Sequence, residues 1–399
     1  MATSTSGQLT RLCAAGALAY GSYAMVRSPV LPLYARQLGA TPEVVGLVVA
    51  ASTLTGVFLK FPAGAFSDVV GRRVVLVAGA CVFALLPLGY LVTTGLAALV
   101  IVRLVHGSAT ALFGPVASAT LSDLAPPDQR GRWLSVYSSA QGAGQAAGPV
   151  VATALVFGTD FSQVFVASAG VGAVALALVV VWLRPPRTRT SGPTWPRLRD
   201  AVRAVVMHRA ILATSLAQAG QFFVNGALVA FLPLYAREVV GMSAGRIGWL
   251  FGVQTAATLL ARPLFGAWSD RIGRRPLVVV GLLLCGVSMA AFGWTRDDRT
   301  LLGLAVSYGT GLAVTTAATS ALITDVTHEA RYGAAHGLFG TLYDIGDAAG
   351  PLCAGALVAW VGFARAFEVI GGLALIIAFV FAIVSRSWRL PDAPLARPA

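Results

Sequence analysis

Asp344 and Asp347 stand three residues apart inside a long apolar run near the end of this chain. On a helix that spacing puts both carboxylates on one face. Two close carboxylates in a medium of low dielectric repel each other, which suits the pair to taking up a proton. A neighbouring cation would compete with that proton. Candidate cations lie in other apolar runs: Arg27, Lys60, Arg103 with His106 one turn away, and Arg262. A charge at mid-bilayer costs about 2.5–3.5 kcal/mol on insertion scales, so each of these residues is expected to face a cavity or a partner. Two readings of the acids stand side by side: proton exchange, or a static salt bridge that sets packing. Arg27, Arg103 and His106 would make their end of a cavity positive and favour an anionic or zwitterionic ligand, unless Arg27 pairs with one of the acids.

Other residues in the same runs are candidates for lining such a cavity. Amides are poorly placed in lipid, which singles out Gln141, Gln145, Gln221 and Asn225; Tyr23, Tyr137, Phe339 and Tyr343 are the accompanying aromatics, with packing as their plainer role. The four cysteines fall inside apolar runs without metal-ligand spacing, so neither a metal site nor a cofactor is expected. No His-Glu-x-x-His, Gly-x-Ser-x-Gly or Walker pattern occurs, which argues against an enzyme.

The elements that position these residues follow from composition. Of 399 residues, 57% are hydrophobic and 11% charged, and mean hydropathy is +0.77. A soluble protein carries about 25% charged residues, so the chain is an all-α polytopic membrane protein with the lipid bilayer as its surroundings. Twelve apolar runs can be placed, near 12–34, 43–66, 74–93, 97–121, 133–156, 163–183, 210–235, 244–267, 277–294, 300–322, 334–358 and 364–385. Each is long enough to span as a helix, the one open structure that satisfies backbone polar groups in lipid. The formal charge of +13 does not point to nucleic acid, because the Arg residues gather in short loops. Their bias to alternate loops places both termini in the cytoplasm. Lys60 is the only lysine, and the excess of Arg with abundant Ala, Gly and Val suggests a GC-rich bacterial genome and hence a bacterial cytoplasmic (inner) membrane.

The chain is also duplicated. Gly64-Ala-Phe-Ser-Asp68-Val-Val-Gly71-Arg72-Arg73 returns 202 residues later as Gly266-Ala-Trp-Ser-Asp270-Arg271-Ile-Gly273-Arg274-Arg275. Gly144-x-x-x-Gly148-Pro149 returns at the same offset as Gly346-x-x-x-Gly350-Pro351, and Lys60 corresponds to Arg262. The copies are unequal: Gln145 stands opposite Asp347, and Gly142 opposite Asp344. Residues 1–184 and 210–399 are therefore read as two pseudo-symmetric six-helix bundles. They are joined by a polar, Pro- and Arg-rich cytoplasmic linker at 185–209. Six helices plus six in parallel relation is a transporter plan with its site between the halves.

The loop motif has a physical use. Gly71 and Gly273 permit a tight reversal, and Asp68 and Asp270 can accept hydrogen bonds from Arg72, Arg73, Arg271, Arg274 and Arg275 or from a helix N-terminus of the other half. Such a latch would close the cytoplasmic side and break when a cavity opens there. The small residues of the second motif, Gly144, Gly148 and Pro149 with Gly346, Gly350 and Pro351, allow close helix packing or a bend.

These motifs resemble those of the major facilitator superfamily, over essentially the whole chain. The copy ending at Arg275 matches that family's loop pattern fully, whereas Val69 replaces a base in the first copy. Gly144-x-x-x-Gly148-Pro149 and Arg103-Leu-Val-His-Gly107 are similar to motifs of its twelve-helix drug/proton antiporters, although Ala152-Thr153 replaces the usual Gly-Gly. The resemblance implies the major facilitator fold and a monomeric, proton-coupled exporter of small amphipathic molecules working by alternating access. The alternative is an uptake symporter or uniporter for a small organic anion or zwitterion. It also implies a fifth-helix gate, a role for Arg103 in steadying the first helix or in proton release, and second and eleventh helices that face each other. That last point predicts a Lys60–Asp344 pair and, by pseudo-symmetry, Arg262 against Gln141 or Gln145.

Overall fold

The computed structural model describes residues 5–156, 160–183, 207–327 and 332–388, and they are almost entirely helical. Helix α1 (Thr5–Arg27) is prolonged past Ser28-Pro29 by a short helix, Val30–Gln37. Then come α2 (Pro42–Val70), α3 (Arg72–Gly89), α4 (Leu96–Leu124), α5 (Arg130–Ala154) and α6 (Ser162–Trp182). The second set is α7 (Arg209–Glu238), α8 (Ala244–Ile272), α9 (Arg274–Phe292) and α10 (Asp298–Asp325). The last helical stretch, Tyr332–Arg386, breaks at Gly362 (φ 79°) into α11 (332–361) and α12 (363–386). The twelve apolar runs are thus twelve helices. Most of the linker predicted at 185–209 lies outside the described residues.

Three of these helices, α1, α5 and α8, are less apolar than the other spans. They are helices that carry polar residues into the middle of the molecule, where lipid does not reach them. The α2–α3 and α8–α9 corners turn on Gly71 and Gly273, both at φ 100°, a left-handed conformation that side chains resist.

Within each set the repeat is visible as matching contacts. A Cβ added at Gly144 would stand 1.9 Å from the Ala17 carbonyl oxygen of α1, and one at Gly346 would stand 2.0 Å from the Ala219 carbonyl oxygen of α7. Gly148 meets the α1 backbone at Gly21, and Gly350 meets α7 at Phe223. All four partners keep the offset of 202. Lipid tails are as apolar as Leu, so such contact between small residues is what holds membrane helices together.

The halves meet along two seams, α2 against α11 and α5 against α8. At the face opposite the α2–α3 loop the seams are shut. A Cβ at Gly46 would stand 2.3 Å from the Pro351 carbonyl oxygen, and one at Gly248 would stand 1.7 Å from Thr153 Oγ1. One buried cluster there mixes both halves, Leu31, Val45 and Val49 with Leu228, Phe231 and Val358. Arg36 beyond α1 reaches Glu238 of α7 at 2.7 Å. Toward the α2–α3 loop the cores separate. Leu12, Leu76, Phe113 and Val179 form one in the first half, and Leu277, Leu282, Leu322 and Phe381 another in the second.

Candidate functional site

A cavity of about 390 Å³ lies between the halves. Each helix contributes a stripe at helical spacing: Tyr20, Tyr23 and Arg27 from α1; Thr53, Gly56 and Lys60 from α2; Gly142, Gln145 and Pro149 from α5. From the second half come Phe222, Asn225 and Val229 of α7; Phe251, Gln254, Thr258 and Arg262 of α8; Thr316 of α10; and Tyr343, Asp344 and Asp347 of α11.

Asp344 and Asp347 are not joined to each other. Each holds a separate cation from the opposite half. Arg27 Nη2 lies 2.5 Å from Asp347 Oδ2, which also accepts from Thr53 Oγ1 at 3.2 Å. Lys60 Nζ pairs with Asp344 Oδ2, and its ammonium sits 5.5 Å from the centroid of the Tyr343 ring. The acids are nearly buried, at 6% and 8% side-chain exposure, against 27% for Arg27 and 32% for Lys60. Asp347 Oδ1 is buried with no protein hydrogen-bond partner. The structure therefore brings Lys60 to Asp344, and it uses Arg27 as a counter-ion rather than as a free positive wall.

Arg262 differs. It lines the cavity, and it makes no ion pair or hydrogen bond with any described residue. The expected contact with Gln141 or Gln145 is not formed. At the repeat position of Asp344, α5 offers Gly142, which has no side chain to reach across.

Five residues expected in the cavity sit elsewhere. His106 is fully buried, its Nδ1 3.0 Å from the Tyr90 hydroxyl and its ring edge-on to Tyr23. Tyr137 is buried against Gly16 of α1, and Gln141 Nε2 donates to its hydroxyl at 3.1 Å. Gln221 is sealed between α7 and α10, donating to the Leu312 carbonyl at 3.1 Å and accepting from Thr316. It lies one residue, about 100°, around the helix from Phe222. Phe339 packs with Ile211 and Ile323 in a small core. Arg103 is also fully buried, behind Tyr23. Its Nη2 donates to the Tyr23 hydroxyl at 3.2 Å and its guanidinium lies 5.0 Å from that ring, while Nε and Nη1 find no protein partner.

At the loop motifs, Arg72 pairs with Asp123 and Arg274 with Asp325 at 3.0 Å, each within its own half. Arg73 donates to the Val180 carbonyl and Arg275 to that of Trp388. Arg271 is exposed. Gly64 lies within α2, and the side chains of Asp68 and Asp270 lie outside what the structure describes.

Thr53, Phe251, Gln254, Thr258 and Thr316 were not among the expected site residues. Gln254, Thr258 and Arg262 recur every four residues, which was the available signal. Thr258 Oγ1 bonds the Gln254 and Gly309 carbonyls, as Thr commonly does in membrane helices, so its polarity alone does not mark a cavity.

Two helical bundles related by duplication, with a polar cavity at their seam, define a multi-pass membrane transporter. The chain belongs to the Major Facilitator Superfamily, whose family model matches residues 12–245 and 214–398. It is similar to the multidrug resistance protein MdtG of Salmonella paratyphi A, 26% identical over 363 residues that cover 87% of this chain and 88% of that one. It is 21% identical over 365 residues to an uncharacterized MFS-type transporter of Methanocaldococcus jannaschii, covering 88% and 92%. Among solved structures it resembles a bacterial homolog of the human lysosomal transporter Spinster in an inward-facing, unoccupied conformation. The TM-score there is 0.80 at 16% identity, over 96% of this chain and 97% of that one.

Proposed function

We propose that this transporter is a proton-coupled exporter of small amphipathic molecules in a bacterial cytoplasmic membrane. It works as a monomer by alternating access between bundles 1–184 and 210–399, with both termini and the linker in the cytoplasm. The observation that carries the reading is the pair of inter-half ion bridges, Arg27–Asp347 and Lys60–Asp344, set in the cavity wall. Each takes its cation from one half and its acid from the other. A proton on either carboxylate removes one charge of a bridge and loosens the seam at cavity depth.

Magnitudes favour the use of both bridges. Swinging a two-state equilibrium from 1:99 to 99:1 takes about 5.5 kcal/mol. Uncoupling a buried pair by losing one partner is worth about 3–5 kcal/mol, and partial exposure of Arg27 and Lys60 lowers that. One bridge falls short of a full swing, whereas two reach it.

With the α2–α3 loop cytoplasmic, the shut seams are external and the separated cores are internal, which is an inward-facing arrangement. Similarity to a multidrug resistance protein supports export. The test is flux in proteoliposomes under an imposed pH gradient. Asp344→Asn and Asp347→Asn are each expected to abolish gradient-driven flux while leaving downhill exchange. Undiminished gradient-driven flux in both variants sinks the proposal, and net uptake with the proton rather than against it replaces export by symport.

A further inference from the structure

We propose that Arg262 anchors the head group of an anionic substrate, so that the molecules carried are amphipathic organic anions. This rests on the reading of the cavity as the transport site.

The case begins with the repeat. At the offset of 202, Lys60 corresponds to Arg262, Asp344 to Gly142, Asp347 to Gln145 and Arg27 to Val229. All eight residues line the cavity. One arm of the pseudo-symmetric site holds two closed ion pairs. The other arm has kept a cation and lost everything that would neutralise it. The carboxylates of Asp344 and Asp347 are each engaged by a cation of the first half. Apart from tyrosines, the ionisable residues of the lining are Arg27, Lys60, Arg262, Asp344 and Asp347, so with both bridges formed the cavity carries one net positive charge, on Arg262.

An Arg placed this deep is costly unless something satisfies it. Within the described residues nothing does, and the side chain is exposed toward the cavity. Its planar fork of donors matches a carboxylate, sulfonate or phosphate in two-point contact. The position across from it is Gly142, where a side chain would meet only the end of Leu259, 3.3 Å from an added Cβ. That leaves the space a head group needs. Tyr20, Phe222, Phe251 and Tyr343 line the same cavity and offer apolar and aromatic surface for the rest of the molecule. A cationic substrate would meet Arg262 unscreened and would find both acids already paired.

Fluorescein, an anion, and rhodamine 6G, a cation, share a xanthene body and serve as probes. Saturable binding of each to the full-length protein in lipid nanodiscs is measured by fluorescence anisotropy at fixed salt. Wild type is expected to prefer fluorescein by about tenfold or more, the scale of one charge-assisted contact. Arg262→Gln and Gly142→Asp are each expected to weaken fluorescein binding by about tenfold, with Arg262→Lys losing less, because only the charge is kept. Absence of saturable fluorescein binding by wild type, or binding that survives both substitutions in folded protein, overturns the assignment. The same preparations, reconstituted under a pH gradient, separate the two proposals. Gradient-driven rhodamine 6G flux without fluorescein binding keeps the exporter and rejects the anion site. Arg262-dependent fluorescein binding without gradient-driven flux of either dye keeps the anion site and rejects proton-coupled export.

Discussion

Arg27 of α1 and Asp347 of α11 meet at 2.5 Å across the seam between the halves. The same carboxylate takes a hydroxyl from Thr53 of α2, so three helices converge on one oxygen. Removing either charge leaves the other in a poorly solvated place. Arg27→Met alone is expected to destabilise the folded protein by about 3 kcal/mol, whereas Arg27→Met with Asp347→Leu is close to neutral. Thermal melts of the purified protein check this. Equal losses in the single and double variants would show that packing, not charge pairing, is at stake. The double variant is also expected to lose pH-gradient-driven flux while melting like wild type.

The glycine contacts give a second prediction. Gly144→Val and Gly346→Val both force a side chain into a facing backbone and are expected to cost about 3 kcal/mol or more each, beyond ordinary overpacking. Gly303, where an added Cβ meets nothing within 4 Å, tolerates Ala. Size-exclusion profiles and melts of the three variants distinguish them. A well-behaved Gly144→Val protein would remove the packing role.

Arg103 depends on Tyr23. Tyr23→Phe deletes the acceptor of the Arg103 Nη2 hydrogen bond and is expected to destabilise by about 1–3 kcal/mol, the range for a buried polar group left unsatisfied. Arg103→Lys is not expected to substitute, since the contact of the guanidinium with the Tyr23 ring is lost. A melt unchanged in Tyr23→Phe would count against this dependence.

The Arg36–Glu238 bridge at the shut face is a contrasting case. Its side chains are 45% and 30% exposed, and exposed pairs contribute about 0–1 kcal/mol. Glu238→Gln is therefore expected to shift opening of that face by no more than about fivefold. Spin-label distances across the face measure the populations. A complete switch of state on this one substitution would mean that the bridge, not the apolar seam, holds the face closed.

Much of this was legible in the sequence. Span number, the duplication and the Lys60–Asp344 pair followed from run lengths, a constant offset and the family's helix order. Spacing also put Asp344 and Asp347 on one face of α11. It did not say which neighbour each flank of a helix meets. Gln221 and Asn225 are one turn apart, yet the first is sealed against α10 and the second opens to the cavity. His106 and Tyr137 show the same gap: a polar group on a membrane helix can find its partner in the packing, as His106 Nδ1 does at the Tyr90 hydroxyl and the Tyr137 hydroxyl does at Gln141, as well as in a cavity. Arg262 failed in the opposite direction. A partner was expected by symmetry, and the glycine at 142 withholds one.

The contacts of Gly144 on Ala17 and of Gly346 on Ala219 carry one more consequence. Where two backbones touch with no side chain between them, there is no layer to shear and a single register is allowed. Each of the helix pairs α1–α5 and α7–α11 is then a stiff two-helix plate. Any displacement at one end of a plate reaches the other with little loss. Arg27 rides on the first plate and Asp347 on the second, so the distance between these two charges reads out the angle between the plates. A label on each plate, away from this pair, would measure that angle directly.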